Sequence, residues 1–134
     1  MANYPSAEYF KDFLRKIYPC KEPFELLVVD KKPKRRAGSY IWEKHRIRIY
    51  APWGHLEETA IHEYAHHIHY TECGSKTNGE RPHGPQFWEI YGALMCVTAQ
   101  KGLFTRSRVE KIANCWLNRV YLKTRGCAYG RTRI

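Results

Sequence analysis

The nine residues Ile61-His62-Glu63-Tyr64-Ala65-His66-His67-Ile68-His69 constrain this chain more than any other stretch. They contain His62-Glu63-x-x-His66, a spacing that puts two imidazoles on one helical face, where a single Zn²⁺ can lie between them. Glu63 falls about 100° around the helix from His62, at the edge of that face, where a carboxylate can hold a water against the metal. Given this composition, the pentapeptide would arise by chance in roughly 3 of 100 chains of this length, so its setting has to decide. Ala60, Ile61, Tyr64, Ala65 and Ile68 recur at helical spacing as a core-facing stripe, while His62, His66 and His69 share a different face. Glu57, Glu58 and Thr59 enrich the first turn and Gly74 follows Cys73 as a natural stop. A helix is expected from about Leu56 to about Thr71.

A catalytic zinc usually takes three protein ligands and keeps one position for water. His83, 17 positions after His66 in His83-Gly84-Pro85-Gln86-Phe87-Trp88, is the favoured third ligand. Gly84 and Pro85 open another helix that would hold it at the N-terminal end. A carboxylate from that helix, Glu89, is the alternative, with Glu80 and Glu72 behind it. His69 rises about 10 Å along the axis from His62, too far to share one ion, and is expected to support the ligands or to be solvated. The H-E-x-x-H-x-x-G-x-x-H pattern of metzincins fails, because His69 stands where its glycine belongs and Glu72 where its last histidine does. His45, His55 and His67 are expected at the surface.

An H-E-x-x-H helix, a short polar loop, then H-G-P-x-F opening the next helix resembles the SprT-like (Spartan-type) zinc metallopeptidases over roughly Phe24 to Thr98. The resemblance implies a zincin-like minimal metallopeptidase domain. One Zn²⁺ would be held by His62, His66 and His83, and Glu63 would be the catalytic base for hydrolysing peptide bonds in proteins bound to or crosslinked to DNA. The YgjP-like metallopeptidases, a sibling group, are similar through Phe87-Trp88 after the downstream histidine, and imply a general peptidase without a nucleic-acid step. Some SprT-like proteins carry a C-terminal zinc ribbon of paired cysteines, which this chain does not match. A third reading, a basic DNA-binding protein with a structural metal, is disfavoured by an open coordination position and an intact Glu63. The donor for the tetrahedral oxyanion stays open among Tyr64, His69, Tyr70, Arg81 and Tyr91.

Length sets one domain, 1–134, with hydrophobic residues at 43% and aromatics at 14%, a composition that folds rather than one that stays disordered. No apolar run reads as a signal peptide or membrane span, so a cytoplasmic, unsecreted monomer is expected, nucleoid-associated where DNA is engaged. Five cysteines without a C-x-x-C pair are read as free thiols. Lys and Arg total 23 against 13 Asp and Glu, a net charge of +10. A field of that sign attracts polyanions, single-stranded or branched DNA among them. The densest run is Lys31, Lys32, Lys34, Arg35 and Arg36, with a second group at Arg119, Lys123, Arg125, Arg131 and Arg133.

The remaining elements follow from periodicity. Ser6 to Tyr18 reads as an amphipathic helix with Tyr9, Phe10, Phe13, Leu14 and Ile17 on one side, ended by Pro19. Phe24 to Val29 reads as a buried strand. Gly38 to Trp42 and Arg46 to Tyr50 read as strands around Glu43-Lys44-His45, the second with Ile47 and Ile49 inward and Arg46, Arg48 and Tyr50 outward. By resemblance to zincins, Arg46, Ile47, Arg48 and Ile49 are the candidate edge strand for an extended substrate. Gln86 to Gln100 and Ser107 to Arg125 read as two further helices, the latter starting in a Ser107-x-x-Glu110 capping box. The expected architecture is α+β: a small, mostly antiparallel sheet packed on the metal-binding helix, with about three more helices.

Overall fold

A computed structural model of the chain describes residues 4–73 and 83–103. The backbone groups into two compact units, Met1–Leu94 and Met95–Ile134. Of the second, the described part is the last turns of a helix and the Lys101-Gly102 turn that closes it. The helix expected from Ser107 to Arg125, the second basic group, Cys115 and Cys127 lie outside the described residues, as do Gly74, Glu80 and Arg81.

Helix α1, Ala7–Ile17, begins where Ser6 accepts a hydrogen bond from the Tyr9 N–H at 3.2 Å. That cap contributes about 1 kcal/mol. Burial of Phe10, Phe13, Leu14 and Ile17 outweighs it, at roughly 1.5–3 kcal/mol for each side chain. Helix α1 packs against strand β1, Glu25–Val29, and against helix α2, Leu56–Glu72.

Strand β2, Gly38–Ile41, runs into a single 3-10 turn at Trp42–Lys44. His45 then takes a left-handed conformation (φ 48°), which reverses the chain into strand β3, Arg46–Tyr50. The sheet order is β1-β3-β2. β1 pairs with β3 in parallel, from Glu25↔Arg46 to Val29↔Tyr50, and β2 pairs with it antiparallel, from Gly38↔Ile49 to Ile41↔Arg46. The sheet is therefore mixed, where the sequence suggested a mostly antiparallel one. The cause is that β3 inserts between its two predecessors instead of adding outside the hairpin.

That insertion corrects the assignment of Arg46, Ile47, Arg48 and Ile49 as an edge strand. β3 is central, with its main chain laddered on both sides, and an extended peptide has no edge of it to pair with. Alternation holds from Arg46 to Ile49: Ile47 and Ile49 are fully buried, and Arg46 on the opposite face meets Glu25 at 2.9 Å, whereas Tyr50, expected outward, is buried at the strand's end. Among the described residues α2 lies across β2 and β3, and Arg46 and Arg48 on the central strand are half-buried.

Helix α2 matches its expected start and runs one residue beyond its expected end, with Ala60, Ile61, Tyr64, Ala65 and Ile68 all buried. Helix α3, Pro85–Gln100, starts with Pro85, whose lack of an N–H costs nothing in a first turn. Three helices and a mixed three-stranded sheet make the described fold α+β.

Candidate metal centre

His62 and His66 are one helical turn apart on α2, and His83 stands two residues before Pro85 opens α3. The His83 Nε2 lies 3.2 Å from the His62 Nε2 and 3.1 Å from the His66 Nε2. One donor atom from each of the three lies within 4.8 Å of the others. A hydrogen bond could join one pair of imidazole nitrogens, but it does not account for a third nitrogen aimed at the same point. A cation with bonds of 2.0–2.1 Å in tetrahedral directions sets its ligand nitrogens roughly 3.3 Å apart. The two spacings at His83 Nε2 are close to that value, and the three histidines lie close enough to hold a metal ion. His83 is exposed and the other two are half-buried, so one side of the centre opens to solvent.

Binding a metal needs neutral imidazole. Burial, then repulsion from His62, His83 and His69, drives the His66 pKa down to about 3. The rings are held by an aromatic collar from the first turns of α3. Phe87 stacks on His66 with centroids 4.3 Å apart, Trp88 lies 5.9 Å from the His83 ring, and Tyr91 meets His62 edge-on at 5.7 Å. Phe87 is fully buried, so a core contact and a ligand-orienting contact are made by one side chain. His69 supports the same corner from below: it is buried, and its Nε2 donates to Gln86 Oε1 at 3.1 Å, tying α2 to the start of α3.

Glu63 is 6% exposed. Burial pushes its carboxyl up to about 8, with Arg36 pulling the other way. Its neighbour across the sheet is Gly38, where a Cβ would stand 2.6 Å from Thr59 Cγ2 and 3.1 Å from Glu63 Oε2. Helix α2 can approach β2 this closely only because that strand position has no side chain.

The structure brings His62, His66 and His83 together and, among the described carboxylate alternatives, leaves Glu72 and Glu89 outside that group. Glu72 accepts from Tyr18 O–H at 2.5 Å and from the Lys21 N–H at 2.8 Å, and Glu89 is exposed on α3. The candidate oxyanion donors separate as well. Tyr64 is buried with its hydroxyl bonded to the Tyr18 carbonyl, Tyr70 packs on Trp42 at the far end of β2, and Tyr91 is set against His62.

His67 departs from its expected surface position. Five residues on from His62, it points to the opposite side of α2, where it is fully buried. Tyr40 O–H donates to its Nδ1 and its Nε2–H donates to the Glu22 carbonyl, both at 2.8 Å. His45 is half-buried, 5.1 Å from the His67 ring, while His55 is exposed. Lys31, Lys32, Lys34, Arg35 and Arg36 are all exposed, on the connection from β1 to β2. That connection is anchored by Trp53, whose indole N–H donates to the Pro33 carbonyl at 2.8 Å while Lys32 Nζ lies 4.9 Å over its ring. Sequence reasoning passed over Gly38, Gln86 and Trp53. Their partners are 25, 17 and 20 positions away, beyond any local pattern.

Cys20, Cys73 and Cys96 are free thiols, as expected, and no described helix is long and apolar enough to cross a membrane. A scan against protein-family models, a search of curated proteins and a search of solved structures each return no match to this chain.

Proposed function

We propose that the protein is a zinc-dependent endopeptidase of SprT-like type, with His62, His66 and His83 as the metal ligands and Glu63 as the general base. The observation that carries the reading is that His83 Nε2 lies 3.1–3.2 Å from the Nε2 atoms of both His62 and His66, with one donor atom of each within 4.8 Å of the others, on a helix that also carries a buried glutamate. Three imidazoles with one open side are the donor set of catalytic rather than structural zinc, whose sites close with four ligands.

When bound, zinc would supply Lewis acidity, acidifying a water and polarising a peptide carbonyl. The chain's own groups do the rest. The Glu63 carboxylate takes the proton of the attacking water and returns it to the leaving amine. Its dry setting against Gly38 keeps it a strong base, and a divalent charge nearby would hold it ionised until it is needed. The aromatic collar keeps the three imidazoles in register with that carboxylate.

A substrate peptide would add to the outer edge of β2, which takes over from β3 as the proposed docking strand. Among the described residues no strand pairs with that edge, and it begins at Gly38 beside Glu63. The exposed basic connection ends at Arg36, two residues before Gly38. A nucleic acid on Lys31, Lys32, Lys34, Arg35 and Arg36 would lie next to the cleavage site, which favours DNA-associated proteins as substrates over free peptides.

The decisive test is Glu63→Gln. Zinc content by elemental analysis should match wild type while hydrolysis of a DNA-binding protein falls by a factor of about 10² to 10⁴. Hydrolysis that survived the change would mean that another group is the base. Single-stranded DNA should stimulate wild-type cleavage, and added salt should remove the stimulation. Cleavage indifferent to DNA would favour a YgjP-like general peptidase.

A further inference from the structure

We infer that Trp42 and Tyr70 form a specificity pocket that reads a large apolar or aromatic side chain three to four residues on the N-terminal side of the cleaved bond. The inference rests on the peptidase reading and adds to it a place and a chemistry for substrate selection.

Trp42 is 47% exposed, an unusual position for so large an apolar side chain. Its ring meets that of Tyr70 at 5.4 Å and 49°, and His45 flanks Tyr70 at 6.0 Å. The group lies at one end of the proposed peptide track. Gly38 and Tyr40 on β2 both turn toward α2, Gly38 meeting Thr59 and Glu63, and Tyr40 meeting His67. Trp42 continues that alternation onto Tyr70. β2 therefore runs alongside α2 in the same direction, from the catalytic carboxylate to the aromatic pair.

Two independent lengths agree on the separation. From Gly38 to Trp42 is four strand positions, about 13 Å. From Glu63 to Tyr70 is seven helical positions, about 10.5 Å. A peptide on the outer edge of β2 pairs most stably antiparallel to it. Its scissile bond would then lie by Gly38 and its N-terminal side would run toward Trp42. At about 3.3 Å per residue, the side chain reaching the pocket belongs to the third or fourth residue before the cleaved bond. Main-chain pairing along β2 ignores side chains, so the pocket is where the track can tell sequences apart.

The zinc-loaded full chain, with single-stranded DNA present, is used to digest a mixture of denatured DNA-binding proteins and casein, and the cleaved bonds are mapped by mass spectrometry. In wild type, Phe, Tyr, Trp, Leu, Ile and Met should be over-represented about fivefold at the third or fourth residue before the bond. Trp42→Ala should erase that preference, with the loss in KM rather than kcat, and Trp42→Phe should keep most of it. Tyr70→Leu, which removes the other wall, should weaken it independently. Cleavage by wild type with no such preference, with a preference confined to the C-terminal side, or with one that persists in Trp42→Ala overturns the pocket and leaves the peptidase standing. No cleavage by zinc-loaded wild type overturns the peptidase reading, and the pocket falls with it.

Discussion

Helix α2 carries histidines on two sides, and the same side chain does opposite things on each. His67 has each ring nitrogen matched to one protein atom, the Tyr40 hydroxyl and the Glu22 carbonyl. His62 and His66 instead aim Nε2 at the Nε2 of a third histidine. A buried imidazole with both nitrogens matched is closed to further chemistry and holds the fold together. Imidazoles aimed at one another repel when protonated and are reconciled by a cation. The lesson is that a histidine's role is set by what its nitrogens face, since burial alone would rank His67 and His69 above all three proposed ligands.

The contrast breaks most sharply through metal linkage. Zinc at 1,000 times its Kd should stabilise wild type by about 4 kcal/mol, because only the folded chain assembles the three donors. His83→Ala should lose nearly all of that response in thermal melts with and without zinc, and elemental analysis should find the metal gone. On the other side of the helix, His67→Ala should melt earlier yet keep its response to zinc. It removes a fully buried ring and strands the Tyr40 hydroxyl, for a loss of about 3 kcal/mol in urea unfolding. If His67→Ala lost the zinc response at full folding, the two sides would not be separate in function.

Gly38→Ala tests the place where the sheet meets the catalytic side. The added methyl would press on Thr59 and Glu63, and overpacking of this kind costs about 2 kcal/mol. Hydrolysis should fall further than stability does, because the displaced group is the proposed base, while zinc binding to the folded fraction stays. Unchanged hydrolysis would place the working carboxylate elsewhere.

What could be read without coordinates follows the same division. The α2 stripe, the alternation of Ile47 and Ile49, the Ser6 cap and the meeting of His83 with His62 and His66 all rest on local spacing or on one recognisable motif. The β1-β3-β2 order does not. Whether β3 adds outside a hairpin or inserts beside β1 depends on pairing between segments about 20 residues apart, which leaves no periodic trace. Placing Arg46 to Ile49 at an edge failed for that reason, since arginines mark an exposed face and not an exposed edge. His67 was misjudged because its partners, Tyr40 and the Glu22 carbonyl, come from β2 and the turn before β1. The approach of Gly38 to Glu63 was equally hidden.

The smallest effect is expected at Gln86. Its Oε1 accepts from His69 Nε2 at 3.1 Å and so fixes the start of α3 against α2, three residues after His83. Without that bond His83 would still reach the centre, but from a looser segment, and groups that orient ligands typically contribute 10–100-fold in affinity. Gln86→Ala should therefore weaken zinc binding by about tenfold, equivalent to about 1.4 kcal/mol, in competition with a zinc-sensitive chelator dye. Gln86→Glu, which keeps an acceptor oxygen, should recover most of the loss. His69→Ala should reproduce the tenfold effect, and combining it with Gln86→Ala should add little, because the two act through one bond. Full additivity would mean that His69 and Gln86 support the centre separately, and the buried side of α2 would then reach the metal by a route other than this link.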